Sequence, residues 1–100
     1  MNRCVFQIWE ESERGWGVRP DGCSIHLNKS IRDQYINNLK KQRSEIKEVP
    51  NEYDRPVGNE LECFVSDMIY DRVSQAGTIR LFEYEKNNLI KLGDLIFKPI

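Results

Sequence analysis

The stretch GWGVRPDGCSIH, residues 15–26, concentrates the most constrained residues of the chain. It holds three of the six glycines, one of the two tryptophans and the only histidine. The ring of Pro20 fixes φ at about −65°, and Asp21 and Gly22 suit the two positions that follow in a β-turn. We therefore expect VRPDG to form a tight turn that leads into a short strand over residues 23–27.

Regular elements are predicted on both sides of this turn. Residues 3–10, RCVFQIWE, alternate as in a strand, with Cys4, Phe6 and Ile8 on one face and Trp9 on the other. A helix is predicted over residues 29–43, capped by Asn28 or alternatively by Ser30 with Asp33. Its apolar stripe consists of Ile31, Tyr35, Ile36 and Leu39. We expect Trp9 to pack beneath this helix.

The second half of the chain continues the alternation of strands and helices. Residues 44–58 contain two prolines and a glycine and predict a long irregular connection. Strands are predicted over 60–66 and 78–85, with a helix between them that Ser66 caps and Gly77 ends. Residues 89–97 predict a last strand or strand pair. The order ββαβαββ over residues 1–100 indicates one small α+β domain, with a mostly antiparallel sheet and two helices on one face.

Composition excludes several classes of function. The 15 basic and 16 acidic residues give a net charge of −1, so no attraction of the whole molecule to nucleic acid or to an anionic membrane is expected. No apolar run is long enough for a signal segment or a membrane span. Three cysteines without a C-x-x-C pair are typical of reduced thiols, which favours a cytoplasmic protein without metal or cofactor.

Charge is nevertheless uneven along the chain. Residues 29–47 carry six basic and two acidic side chains, whereas residues 48–71 carry seven acids and one arginine. The basic segment could follow the phosphates of a nucleic acid. The interpretation we favour is a solvent-exposed helix face, whose basic residues at the C-terminal end suit the helix dipole.

The Arg-Pro-x-Gly pattern of residues 19–22 occurs again at residues 55–58, within EYDRPVG. One interpretation is ordinary loop chemistry, in which the arginines lie in solvent or pair with Asp21 and Asp54. The other is that the two turns project Arg19 and Arg55 onto one binding surface, because arginine and aromatic side chains often anchor interfaces. The residues proposed for that surface are Trp16, Arg19, Asp21, His26, Tyr53 and Arg55.

The same residues carry a resemblance to a known family. The strings W-G-x-R-P-D-G-x-S-x-H-L, residues 16–27, and P-x-E-Y-x-R-P-x-G, residues 50–58, resemble a family of small uncharacterised bacterial and phage proteins. The resemblance covers roughly the first 60 residues and departs from the family where Cys23 replaces an aromatic or large apolar residue. It implies an accessory or mobile-element protein of bacterial or phage origin, and no particular activity.

Three chemistries are conceivable for His26. Ser24 and His26 are two residues apart on a predicted strand, so they share a face and could form a hydrolase pair oriented by Asp21 or Asp54. A nuclease could use His26 as acid or base. Arg19 and Arg55 would then clamp the charge of a phosphodiester. A zinc site with Cys23 is disfavoured, because the C-x-x-H spacing places the two side chains on opposite faces of a strand.

We therefore expect a small non-enzymatic binding or inhibitor protein that occupies a partner protein or a small anionic ligand. An anti-defence role is suggested by the small size and by the phage-like resemblance. The alternative is a small phosphodiesterase or nuclease that uses His26 with Arg19 and Arg55.

Overall fold

The computed structural model describes residues 1–13, 17–45 and 52–97, the side chains of Glu13, Glu52 and Tyr53 excepted. The elements in chain order are β1 (Asn2–Glu13), β2 (Gly17–His26), α1 (Lys29–Ser44), β3 (Glu52–Val65), α2 (Asp67–Ala76), β4 (Thr78–Leu81), α3 (Glu83–Leu92) and β5 (Leu95–Phe97). The strands form one sheet in the order β4-β2-β1-β3-β5, and every pair is antiparallel. The predicted α+β class is confirmed, with a third helix that the sequence analysis assigned to a strand.

Strand β1 lies at the centre of the sheet, and its alternation divides the molecule into two layers. Cys4 and Phe6 are buried on one face in the main hydrophobic core, to which α2 contributes Ile69 and Val73. We call this the core face. Gln7 and Trp9 are buried on the other face, which α1 covers. The expectation that Trp9 packs beneath the first helix is confirmed, whereas the expectation that all helices lie on one face is wrong.

Both Arg-Pro-x-Gly segments lie inside strands, so the predicted turn at VRPDG and the predicted loop over 52–58 are wrong. Each glycine has a positive φ, 73° at Gly22 and 69° at Gly58. The pairing with β1 changes register beside each of them. Pro20 and Pro56 lie on outer stretches of β2 and β3 that neither β4 nor β5 pairs with. Proline is tolerated at such edges because its missing N–H is not needed there.

The C-terminal third differs from the sequence prediction because the strand β4 ends at Leu81. The backbone N–H of Phe82 donates to the carboxylate of Glu85, at 3.2 Å, and a helix begins. Gly93 ends that helix in the left-handed conformation. Helix α3 thereby joins β4, at one edge of the sheet, to β5 at the other edge. The alternation of TIRLFEYE resembles a strand over eight residues, but only its first four pair with the sheet.

The other two helices follow the sequence analysis closely. The side chain of Asn28 accepts a hydrogen bond from the N–H of Ile31 at 2.9 Å, which decides between the two predicted caps of α1. Helix α2 follows Ser66 and ends at Gly77, although the hydroxyl of Ser66 makes no capping bond. No helix in the described part of the chain is long and apolar enough to cross a bilayer.

Candidate functional site

A chain of buried polar groups lies between the sheet and α1. The indole N–H of Trp9 donates to the Ser24 hydroxyl at 2.6 Å. That hydroxyl lies 2.7 Å from Nε2 of His26, whose Nδ1 lies 2.7 Å from the hydroxyl of Thr78. A neutral imidazole satisfies the whole chain if Ser24 donates to Nε2 and Nδ1–H donates to Thr78. Ser24 and His26 therefore share a face and a hydrogen bond, as expected.

The surroundings of His26 suit a structural role. The side chain is completely buried, and this burial lowers its pKa from 6.5 to about 4, with further lowering by the charges of Arg32 and Arg80. Nδ1 is hydrogen-bonded to the hydroxyl of Thr78, whereas a hydrolase pair would need an orienting carboxylate such as Asp21 or Asp54 at this position. Ser24 is also fully buried. The structure thus places the candidate catalytic pair inside the molecule, away from solvent.

The two predicted surface arginines lie on opposite faces of the sheet. Arg19 pairs across the strands with Glu11, at 3.0 Å, whereas Arg55 pairs with Glu10. Glu10 and Glu11 are neighbours on β1, so their side chains point in opposite directions. The structure does not bring the two arginines together. Trp16 and the side chain of Tyr53, which belonged to the same prediction, lie outside the described residues.

Asp21 is the predicted site residue that lies in an open cleft. The cleft has a volume of about 320 Å³ and opens on the α1 side of β2 and β3, beside the end of β4. We call it the Arg80 cleft. Its walls are formed by Asp21, Tyr35, Asp54, Arg80, Leu81 and Phe82.

Arg80 is fixed at the centre of the cleft by three interactions. Its guanidinium lies 4.2 Å from the centroid of the Trp9 ring, which is a cation–π contact. The same group donates to the Asp21 carboxylate at 3.0 Å and lies 3.5 Å from the carboxylate of Asp54. Arg80 was not among the residues predicted for the binding surface. The available signal was the alternation in TIRL, which buries Ile79 and Leu81 and turns Arg80 to the other face.

The cleft is more acidic than basic. One guanidinium faces two carboxylates, and the pKa of Asp21 is raised from 3.8 to about 6. Burial is the main cause, followed by the hydrogen bond with Asp54 and its charge, while Arg80 opposes the shift. Glu11 also raises this pKa, although its charge is paired with that of Arg19 at 3.0 Å. A cationic group entering the cleft would relieve this repulsion, whereas a small anion would increase it.

Phe82 lines the cleft, and a second exposed aromatic ring, that of Tyr84, stacks on it. Phe82 is 64% exposed and Tyr84 is 71% exposed. Their rings stack nearly parallel, with centroids 5.9 Å apart. Neither ring belongs to the hydrophobic core, so together they form an apolar surface that solvent can reach.

The close packing at Gly22 positions this aromatic pair. The N–H of Gly22 donates to the Glu83 carboxylate at 2.9 Å. A Cβ at residue 22 would lie 1.9 Å from the carbonyl oxygen of Leu81. Only glycine therefore lets the start of α3 approach β2 this closely. Residues 20–22 are therefore constrained by their packing against Leu81, and this packing places Phe82 beside Asp21.

The cysteines lie apart from this site. All three thiols are buried among the core residues, and burial raises the pKa of Cys23 and of Cys63 to about 12. Cys23 lies on the core face and His26 on the α1 face, as the spacing predicted. Within residues 1–13, 17–45 and 52–97, no group of three or more His, Cys, Asp or Glu side chains is placed to hold a metal ion.

Comparison of the chain with models of known protein families finds no match, and neither the curated proteins nor the solved structures include one that matches it. The resemblance carried by residues 16–27 and 50–58 stays a prediction.

Proposed function

We propose that this protein is a small non-enzymatic binding protein that acts by occupying a partner protein. The binding surface consists of Phe82, Tyr84 and the Arg80 cleft. The observation that carries this proposal is the exposed, stacked aromatic pair, of which Phe82 lines a cleft that holds an ordered arginine. Occupation of the partner's own functional surface would make the protein an inhibitor.

The aromatic pair lies outside the hydrophobic core. Phe82 occupies the N-cap position of α3, where serine, threonine, aspartate or asparagine would cap the helix better. Both rings leave most of their surface in water, which costs hydrophobic free energy. Rigid aromatic rings and arginine are the side chains that most often supply the binding energy of a protein interface. Their presence here supports a surface built for a partner.

The charge of the cleft supports a protein over a small anionic ligand. Asp21 and Asp54 together outnumber the single positive charge of Arg80. The complementary group is a cation, which a lysine or arginine of a protein supplies. The aromatic rings beside the carboxylates would cover the apolar stem of such a side chain.

The alternative of a phosphodiesterase gains no support from the geometry. His26 is buried, and Arg19 and Arg55 lie on opposite faces of the sheet. The basic helix α1 is also partly neutralised, since Lys29 pairs with Asp33 at 2.9 Å and Arg32 lies 3.5 Å from Glu60. Bacterial or phage origin and the anti-defence role stay predictions.

A site-specific crosslink tests the proposal. A photoreactive benzoylphenylalanine is placed at residue 84 in one protein and at residue 68 in another, because Met68 is similarly exposed, at 62%, on α2. Both proteins are irradiated in a bacterial lysate, and the products are identified by mass spectrometry. We expect a discrete protein adduct from position 84 only. Adducts of the same protein from both positions, or none from position 84, would contradict the proposal.

A further inference from the structure

We propose that strand β4 accepts an extended segment of the partner protein as a sixth strand of the sheet. This inference rests on the proposed function and names the form in which the partner binds. Strand β4 lies at one end of the five-stranded sheet, and within the described part of the chain it pairs with β2 alone. An edge strand of this kind presents backbone N–H and C=O groups to which a further extended chain can bond.

The hydrogen bonds between β2 and β4 identify the backbone groups that face outward. The N–H of Leu27 donates to the C=O of Gly77 at 2.9 Å, in continuation of the antiparallel register of the two strands. Hydrogen-bonded pairs recur at every second residue of such a ladder, so the backbone of Ile79 also bonds to β2. The N–H and C=O groups of Thr78 and Arg80 therefore point away from β2. No hydrogen bond between described residues uses these groups.

A cavity of about 410 Å³ lies beside this edge, between β4 and α1. We call it the α1–β4 cavity. Its wall includes Thr78 and Arg80 from β4, the apolar surfaces of Ile31 and Tyr35 from α1, and the exposed amide of Asn38. Successive side chains of a strand alternate between the two faces of a sheet. An added strand would thus direct side chains on one of its faces into this cavity, where apolar contacts and an amide can receive them.

The α1–β4 cavity is continuous with the Arg80 cleft. Tyr35 and Arg80 line both of them. A segment laid along β4 toward its C-terminal end leads from the cavity to the exposed ring of Phe82. The same segment can then place a basic side chain beside Asp21 and Asp54, the two carboxylates of the cleft. One extended stretch of the partner would therefore reach every part of the proposed binding surface.

The charge of α1 favours a segment of a partner protein over a second copy of this chain. The helix carries five basic side chains and one acidic side chain, and Lys40 and Lys41 are exposed. Antiparallel pairing of β4 with the β4 of a second copy would continue one sheet across a two-fold axis. Both α1 helices would then lie side by side on the same face of that sheet, with like charges together.

Amide hydrogen exchange on a peptide complex tests the proposal. Random linear peptides of about twelve residues, displayed on phage, are selected on the purified wild-type protein. The selected peptides are synthesised and added at saturating concentration, and exchange is followed by NMR. We expect the amides of Thr78 and Arg80 to exchange at least about tenfold more slowly in the complex. The amide of Ile79, which already bonds to β2, should change much less.

A matched pair of variants tests the contribution of the α1–β4 cavity. Asn38→Trp fills the cavity, whereas Asn37→Trp places the same side chain on an adjacent exposed part of the helix. Circular dichroism verifies that both variants are folded. We expect Asn38→Trp to bind the selected peptides at least about tenfold more weakly and Asn37→Trp to bind them like the wild type.

The outcomes separate this inference from the proposed function. Peptides that slow both amides in Phe82→Ala/Tyr84→Ala as strongly as in the wild type would support the inference and contradict the aromatic surface. A protein adduct from position 84, with selected peptides that leave the amides of Thr78 and Arg80 unchanged, would support the proposed function and overturn the inference. Selection that enriches no peptide would overturn it too. Slow exchange of the same amides that appears without peptide as the protein concentration rises would assign the edge to a second copy and overturn it.

Discussion

The free energy of unfolding should fall by about 1 kcal/mol between pH 7 and pH 5, because two groups titrate in this range with opposite and unequal effects. The groups are His26, beneath α1, and Asp21, in the Arg80 cleft. Folding lowers the pKa of His26 from 6.5 to about 4 and raises that of Asp21 from 3.8 to about 6, each in the direction that burial dictates. Separating the two contributions by mutation tests the electrostatic description of both sites.

His26 should destabilise the fold as the pH falls. Its pKa is about 4 in the folded protein, against 6.5 as an unperturbed side chain. The unfolded chain therefore binds the proton first, and the stability due to neutral His26 is complete above pH 6.5 and is lost progressively down to pH 4. Between pH 7 and pH 5 this loss is about 2 kcal/mol.

Asp21 should act in the opposite direction. Its folded pKa is about 6, against 3.8 as an unperturbed side chain, so the folded protein binds the proton first. The repulsion that burial and Asp54 impose on the ionised carboxylate disappears as the pH falls through 6. The side chain is 27% exposed, which reduces the effect by screening. The gain between pH 7 and pH 5 is then about 1 kcal/mol.

Urea denaturation at pH 5, 6 and 7, followed by tryptophan fluorescence, measures these differences. Asp21→Asn should lose about 2 kcal/mol between pH 7 and pH 5, because only the His26 effect remains. His26→Gln should gain about 1 kcal/mol over the same interval, whatever its absolute stability. Asp71→Asn, on the exposed surface of α2, should follow the wild type. An Asp21→Asn protein with the same pH profile as the wild type would refute the assignment.

Three further outcomes are expected. Gly22→Ala should lower the free energy of unfolding by about 3 kcal/mol, because the added Cβ would meet the Leu81 carbonyl. Gly58→Ala should lower it by about 1 kcal/mol, because the added Cβ meets nothing within 4 Å. Chemical denaturation compares the two variants. Arg80→Met should lower the free energy of unfolding at pH 7 by about 2 kcal/mol, because it removes the cation over Trp9 and leaves the carboxylates of Asp21 and Asp54 unopposed. The loss should be smaller at pH 5, where Asp21 is protonated. Ellman's reagent should find no reactive thiol in the folded protein and three in denaturant; rapid labelling of the folded protein would contradict the burial of Cys4, Cys23 and Cys63.

Local sequence patterns were sufficient to predict the elements that depend on residues close together in the chain. The alternation of residues 3–10 predicted β1, Asn28 predicted the start of α1, and Gly77 predicted the end of α2. The position of Trp9 beneath α1 followed from the same alternation. In each case the residues that determine the structure are close together in the sequence.

Long-range pairing explains where the sequence analysis was wrong. The segments that contain Pro20 and Gly22, and Pro56 and Gly58, have the composition of turns. They nevertheless stay extended, because the first pairs with one side of β1 and the second pairs with the other side. The positive φ that favours glycine in turns here accommodates the register shifts. The Arg80 cleft could not be predicted from the sequence for a related reason. Arg80 and Asp21 are 59 residues apart in the sequence, and only the pairing of β2 with β4 brings them together.

The central claim is that Phe82, Tyr84 and the Arg80 cleft form the surface for a partner protein. Isothermal titration calorimetry tests it most directly. The partner identified by crosslinking is titrated with the wild type, with the double variant Phe82→Ala/Tyr84→Ala, and with the control double variant Met68→Ala/Leu92→Ala. The last pair removes two side chains that are equally exposed elsewhere, at 62% and 69%. We expect the aromatic variant to bind at least about tenfold more weakly and the control to bind like the wild type. Equal binding by the aromatic variant and the wild type would contradict the account.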